Sequence, residues 1–335
     1  MIEPKNNTPA GWLFHLLEQA LLVGASDIHV FHISKGAQVQ FRVHGTMEKQ
    51  VDFSPTQALA LANIIRLQSG MDISISHQPQ DGRFSWAFQN RTVDIRVASL
   101  PTVFGQDFVL RLFAKTPDEM DLERLGFLPG PFQSISAMLE QKSGLILVTG
   151  PTGSGKTTTL YAMVNDLKKR GNPNIVTLED PVETILEGVR QSQINLKGGY
   201  TFESGLRAIL RQDPDVILIG EIRDAETAKI AIEASYTGHL VLSTLHTTDV
   251  RTSLLRLMHF ELDLFLVAHT LRGIISQRLI LRPGGGGRTA LTEIFTLKTL
   301  SPRFDKNRFM ESLLVEGALY PFEEDLVRKT VPEGE

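Results

Sequence analysis

Between Gly11 and Val23 the apolar positions Trp12, Leu13, Leu16, Leu17, Ala20 and Leu21 recur at spacings of three and four, which predicts a helix with one buried face, ended by Gly24. From Ile28 onward the period changes to two. Val39, Phe41 and Val43, then Phe84, Trp86 and Phe88, then Val93, Ile95 and Val97 alternate with other residues, as half-buried strands do. Ser54-Pro55-Thr56-Gln57 has the form of a capping box with proline at the first helical position, so a second helix is expected to run to near Gly70. Residues 1–113 therefore read as a small α+β domain. Residues 114–130, with Pro117, Pro129 and the acidic Asp118, Glu119 and Asp121, break the strand pattern and read as a linker to a second domain over 131–335. In that second part the apolar runs Leu145 to Val148, Ile175 to Leu178, Val216 to Ile219 and Leu240 to Leu242 alternate with helix-like segments, as in a parallel α/β sheet. Gly284 to Gly287 reads as a flexible loop, Leu297 to Glu335 holds amphipathic helix candidates without a motif, and Pro332 to Glu335 reads as a frayed tail.

Composition adds boundaries to this picture. A chain of 335 residues that is 42% hydrophobic is long enough for two cores. Charged residues make up 21% and the net charge is −4, which does not suggest a nucleic-acid-coating protein. With no cysteine, disulfides, thiolate zinc sites and cysteine nucleophiles are excluded. Met1 to Ala10 contains one lysine and no apolar leader core, and no apolar stretch reaches the length of a membrane span, so a cytoplasmic location is expected.

The chemistry is concentrated at the ends of the apolar runs. Gly150-Pro151-Thr152-Gly153-Ser154-Gly155-Lys156-Thr157, followed by Thr158, fits G-x4-G-K-[ST] and directly follows the strand candidate Leu145 to Val148. Glycines let backbone N–H groups converge on phosphate oxygens at the start of a helix. Lys156 would then contact the β- and γ-phosphates of ATP, and the Thr157 hydroxyl would ligate Mg²⁺. The other runs lead to Glu179, Asp180 and Glu183, to Glu221, and to His246, and in an open parallel sheet such strand ends gather around one ligand. Glu221 is the expected water-activating or metal-orienting acid, with Glu183 polarising the same water and Glu179 positioning it. His246 would sense the γ-phosphate, although a lone histidine is also readily structural, and Asp180 alone is as readily a helix cap.

These residues resemble the secretion ATPases of type II secretion systems, type IV pilus assembly and DNA-uptake competence pseudopili. The Walker A segment Val148 to Leu160, the acidic box Leu178 to Glu183, the Walker B stretch Leu206 to Asp224, the histidine box Gly238 to Asp249 and Gln277-Arg278-Leu279 occur in family order. Ala25 to His29, Phe41 to Gly45 and Gln80 to Arg83 extend the likeness into the first part, so that it covers roughly residues 20 to 295. The resemblance implies a RecA-like P-loop core with a smaller, PAS-like N-terminal α+β domain. It also implies a homo-hexamer working on an inner-membrane platform protein, while a net charge of −4 and 7% aromatic residues lead to no direct nucleic-acid binding being expected. By motif position it implies that Arg42, Arg83, Arg96 and Arg111 of the first domain, with Arg207, Arg211 and Arg223 of the second, complete the nucleotide site; a solvated strand edge or an ion pair is the alternative for each. Two departures stand out. Few residues precede Asp27, where many family members carry a further domain, and the four-cysteine zinc site of many members is missing, so zinc is not expected. A pilus retraction ATPase, a RecA-like nucleic-acid motor and a non-hydrolysing P-loop scaffold remain as alternatives.

Overall fold

The computed structural model describes residues 8–88, 91–113, 120–171, 173–281, 288–297, 305 and 308–330. They fall into two compact units, Met1–Thr116 and Pro117–Glu335.

In the first unit the order is α1 (Pro9–Leu22), β1 (Ala25–Ile33), β2 (Gly36–Val43), β3 (Thr46–Phe53), α2 (Pro55–Ser69), β4 (Gln80–Phe88), β5 (Arg91–Thr102) and β6 (Gly105–Phe113). The strands form one antiparallel sheet ordered β3-β2-β1-β6-β5-β4. The Thr8 hydroxyl caps α1 by accepting from the Gly11 N–H, and Gln57 reaches back to accept from the Ser54 N–H at 3.0 Å. Gly70 ends α2 with φ of 71°, a left-handed conformation that glycine takes at little cost. Alternation sorts the sheet into two faces. Ile28, Val30, Phe41, Ile95 and Leu110 pack against Leu13, Leu17, Leu61 and Ile65 of the two helices, leaving the polar positions on the opposite face.

The second unit does not begin at residue 131. Met120 and Leu122 are buried and pack with Leu160 and Val164, so the expected linker is core from Met120 onward. Its acidic composition has a local cause: Asp121 accepts from the Glu123 N–H at the head of a short 3-10 turn and pairs with Lys169 at 2.9 Å. Then follow α3 (Pro129–Leu139), β7 (Gly144–Thr149), α4 (Lys156–Gly171), β8 (Ile175–Glu179), β9 (Arg190–Gln193), α5 (Phe202–Ile209), β10 (Val216–Ile219), α6 (Ala225–Tyr236) and β11 (Leu240–Leu245). The unit closes with α7 (Val250–His259), α8 (Leu264–Thr270), β12 (Leu271–Leu281), β13 (Arg288–Thr296), α9 (Phe309–Glu316), β14 (Ala318–Tyr320) and α10 (Phe322–Thr330).

The sheet order β14-β13-β12-β7-β11-β10-β8-β9 is parallel from β12 to β9 and antiparallel at β13 and β14. Strands β7, β8, β10 and β11 are buried throughout, which explains their unbroken apolar runs. The chain leaves central β7, crosses to β8, and returns through β10 and β11 to lie beside it, so the carboxyl ends of these strands form one rim. This is the expected P-loop architecture with a smaller α+β unit before it. The glycine loop Gly284 to Gly287 and the tail Pro332 to Glu335 lie outside the described residues. Among the described residues no helix is long and apolar enough to cross a membrane.

Candidate active site

Strand β7 releases the chain into a loop whose Gly150, Gly153 and Gly155 have φ of 146°, 77° and 88°. At Gly150 a side chain is excluded twice over, because a Cβ would lie 2.3 Å from the Gln277 carbonyl oxygen and 2.6 Å from Ser154 Oγ. Helix α4 starts at Lys156, so its first N–H groups face the loop, with Thr157 and Thr158 half-buried in the first turn. Lys156 Nζ donates to the carbonyls of Gly150 at 2.8 Å and Pro151 at 3.0 Å. Burial pushes its ammonium below the usual lysine value, opposed by the charges of Glu221 and Glu183. Ser154 Oγ is buried without a partner. Pro151, Thr152 and Gly153 stay exposed. A curled loop with a buried cation, an orphaned hydroxyl and a helix start fits a phosphate chain.

The loop is latched from a distance. Gln277, 1% exposed on β12, donates from Nε2 to the Ser154 carbonyl at 2.6 Å and accepts the Thr159 hydroxyl at 2.9 Å. Its Gln-Arg-Leu string has no local meaning in the sequence, where only the family resemblance singles it out.

The acids divide by role. Glu179 is 3% exposed, and its oxygens accept from Tyr161, from Thr177 at 2.6 Å and from Gln191 at 3.1 Å. Expected to position the attacking water, it is enclosed by these three protein donors. Burial, and then the charge of Glu179, push the Tyr161 hydroxyl far up, so it stays a donor to that carboxylate while accepting from the Glu183 N–H at 3.3 Å. Glu179 thus fixes the segment bearing Glu183, whose half-buried carboxylate acts on Lys156.

Glu221 stands just beyond β10 and is open to the rim. The turn that carries it is tied down on both sides, by the Gly220 N–H to the Leu178 carbonyl at 2.8 Å and by the Ile222 N–H to the Thr244 carbonyl at 3.0 Å. Arg223 donates to Glu221 Oε1, and His246 Nε2 lies 3.2 Å from Oε2. Burial pushes the Glu221 carboxyl up, but Arg223 and His246 together outweigh it and hold it below the usual carboxylate value. Arg223 also reaches Asp180 at 3.5 Å. The chain therefore brings together Lys156, Glu183, Glu221, Arg223 and His246 at one end of the parallel sheet. The oxygen donors Thr157, Glu183 and Glu221 suit a hard cation such as Mg²⁺. Among the described residues no group of three or more His, Asp or Glu side chains is placed to hold a metal alone, so such an ion would also need oxygens of the nucleotide.

Two of the expected arginines are placed otherwise. Arg207 pairs with Glu203 at 3.2 Å and Glu226 at 3.0 Å, and Arg211 donates to the Arg207 carbonyl at 2.9 Å. Neither meets the phosphate loop, Glu221 or His246 among the described residues; within this chain Arg207 ties α5 to α6 and Arg211 closes the end of α5.

The arginines of the first unit form a row that the one-dimensional pattern concealed. Arg83 lies opposite Arg96, Arg96 opposite Arg111, Arg111 opposite Asp27, and Asp27 opposite Arg42, across five neighbouring strands on the polar face. Asp27, 4% exposed, accepts from Arg111 at 2.8 Å and lies 4.0 Å from Arg42. Exposed Arg83 has no ion pair among the described residues. Like charges directly opposite repel, and this row sets four arginines against one aspartate.

Residues 10–293 match the family model described as type II/IV secretion system protein. Among curated relatives, the putative type II secretion system protein E of Escherichia coli is 45% identical over 267 residues, 80% of this chain and 54% of that protein. The type II secretion system protein HxcR of Pseudomonas aeruginosa is 46% identical over 269 residues, covering 80% and 57%. The chain thus spans just over half the length of these curated relatives. Among solved structures, the pilus retraction motor PilT with bound ADP aligns over 96% of this chain and 98% of its own, at TM-score 0.65 and 27% identity. The ATPase DotB of Legionella pneumophila shares the fold, at TM-score 0.82 and 24% identity over 99% of this chain and 95% of its own. With its phosphate loop, its acids on one sheet rim and a match over most of its length, the chain belongs to the type II/IV secretion system protein family.

Proposed function

We propose that this chain is an ATP-hydrolysing motor that drives assembly of a type IV pilus, a competence pseudopilus or a type II secretion system, as a homo-hexamer at the cytoplasmic face of the plasma membrane. The observation that carries the reading is Glu221, an ionised acid held between Arg223 and His246 on the same rim as Lys156. Loop N–H groups and Lys156 bind and orient the β- and γ-phosphates. Glu221 accepts a proton from the attacking water, Glu183 helps orient that water, and His246 reports the γ-phosphate to α7 through the segment that joins them. Mg²⁺, held by Thr157 and the Glu221 side of the site, would neutralise charge on the phosphates. Arg42, Arg83, Arg96 and Arg111 are proposed to stabilise charge on the transferring phosphoryl group, as the family resemblance implies. An inner-membrane platform protein is the proposed partner. The assembly branch is favoured over retraction because the type II secretion relatives are 45% and 46% identical whereas the retraction motor is 27% identical.

The test is Mg²⁺-dependent ATPase activity of the purified chain, measured beside light-scattering mass with and without a non-hydrolysable ATP analogue. Turnover with a nucleotide-stabilised hexamer is the expected result. Tight ATP binding without turnover, even with the platform protein added, would replace the motor with a scaffold.

A further inference from the structure

The first unit contains a second site unrelated to the arginine row. A cleft of about 790 Å³ opens between α2, the tip of the β1–β2 hairpin and the tip of the β5–β6 hairpin. At its base lies Arg66, only 5% exposed. Its Nε donates to Gln106 at 2.6 Å, its Nη1 donates to Asn63 at 2.9 Å, and its guanidinium sits 5.7 Å from the centre of the Phe108 ring. Every one of these partners is neutral. Nη2 has no hydrogen-bond partner, and no carboxylate pairs with the guanidinium, among the described residues. His32 forms the adjoining wall, its side chain 10% exposed and its Nδ1 unpartnered, 3.9 Å from Asp107. A buried charge is ordinarily paired, and removal from water is costly when it is not. The Arg66 guanidinium therefore lacks a carboxylate partner of its own among the described residues.

The rim has the opposite character. Ile33, Leu59, Val103 and Phe104 are 39%, 61%, 95% and 60% exposed around the mouth. Apolar surface of this kind, outside the cavity as well as within it, marks a protein contact better than a metabolite pocket, which encloses its ligand. One guanidinium with one free edge matches one carboxylate and falls short of a phosphate dianion.

We propose that this cleft docks a short segment of a partner protein in which a single acidic side chain, flanked by apolar residues, seats its carboxylate on Arg66 while its neighbours cover Ile33, Leu59, Val103 and Phe104. Arg66 is the specificity element and the rim supplies the contact area, the usual division at a small interface.

Fluorescence anisotropy on the full chain tests this with a labelled heptapeptide bearing one glutamate flanked by leucine and phenylalanine, beside its glutamine counterpart. The glutamate peptide is expected to bind at least about tenfold more tightly, Leu59→Ser and Val103→Ser to weaken it about fivefold each, and Arg66→Gln to erase the preference. Arg66→Gln loosens Gln106 and Asn63, so its fold is checked by circular dichroism; the exposed Leu59 and Val103 variants decide the matter if it fails. Equal binding of the two peptides, no binding, or indifference to Leu59→Ser and Val103→Ser would overturn the proposal. So would self-association of the chain that Val103→Asp abolishes, since the occupant would then be a second copy.

Discussion

The sheet rim of the second unit and the polar sheet face of the first both concentrate charge, but they manage it differently. On the rim, Glu221 meets Arg223 and His246, Lys156 rests on loop carbonyls, and Glu179 is enclosed by three donors. On the face, Arg42, Arg83, Arg96 and Arg111 share a register with Asp27 as the one acid in the row. The rim is arranged around groups whose ionisation is already set, as acid–base chemistry requires. The row on the face sets four arginines against one aspartate, an arrangement suited to an anion. The two compact units thus differ in how their charges are balanced: compensated pairs on the rim, and a row of like charges on the face.

The largest effect that would break this division is expected from Lys156→Ala, which removes the buried cation of the rim. Nucleotide affinity and turnover should both fall at least about a hundredfold by titration calorimetry and phosphate release, since this amine is the loop's charged contact to the phosphates. Glu221→Gln should lower kcat by about a hundredfold or more while leaving the ATP dissociation constant within a few-fold, because an amide hydrogen-bonds but takes no proton. Arg223→Gln sharpens the point through pH. In the parent the Glu221 carboxyl lies below its ordinary 4.5, so its ion pairs stabilise fully above that value and are lost only as pH falls through the lower, folded value. Without Arg223 the lowering effects of its charge and hydrogen bond are lost, and the acid limb of the kcat profile should move to higher pH. Gln277→Ala should cost about 1–3 kcal/mol in denaturant unfolding, with a few-fold weaker nucleotide binding, because the Ser154 carbonyl loses its donor. The smallest effect belongs to the face: Arg83→Gln should leave stability within about 0.5 kcal/mol of the parent or slightly above it, and should lessen the stabilisation given by added sulfate in a thermal melt.

Legibility followed how local each signal was. The phosphate loop, the buried strands and the strand-end acids were readable because a strand, its exit residue and the next helix are contiguous in the chain. Glu221 and His246 were found that way. Arg223, two residues on from Glu221, was named by motif and is in contact with it. The arginine row was legible only as separate residues, since its meaning lies in cross-strand register over strands far apart in sequence. The enclosure of Glu179 is not legible in the sequence because a carboxylate at a strand end looks alike whether open or enclosed; only Tyr161, Thr177 and Gln191 tell the difference. The packed segment from Met120 was hidden by acidic and proline-rich flanks, and Arg207 and Arg211 by their nearness to the Walker B stretch.

The Gln277 latch has a consequence for biosynthesis. Ribosomes deliver the chain from its amino end, and the loop motif is complete once residue 157 has been made. Its cradle is not, because the strand that pins Ser154 and Thr159 bears residue 277 and must still be made, threaded beside β7 and paired. A nascent chain halted before that strand therefore carries the loop motif without the two hydrogen bonds that pin Ser154 and Thr159. The latch thus makes the shape of a motif near the middle of the chain depend on a strand made about 120 residues later.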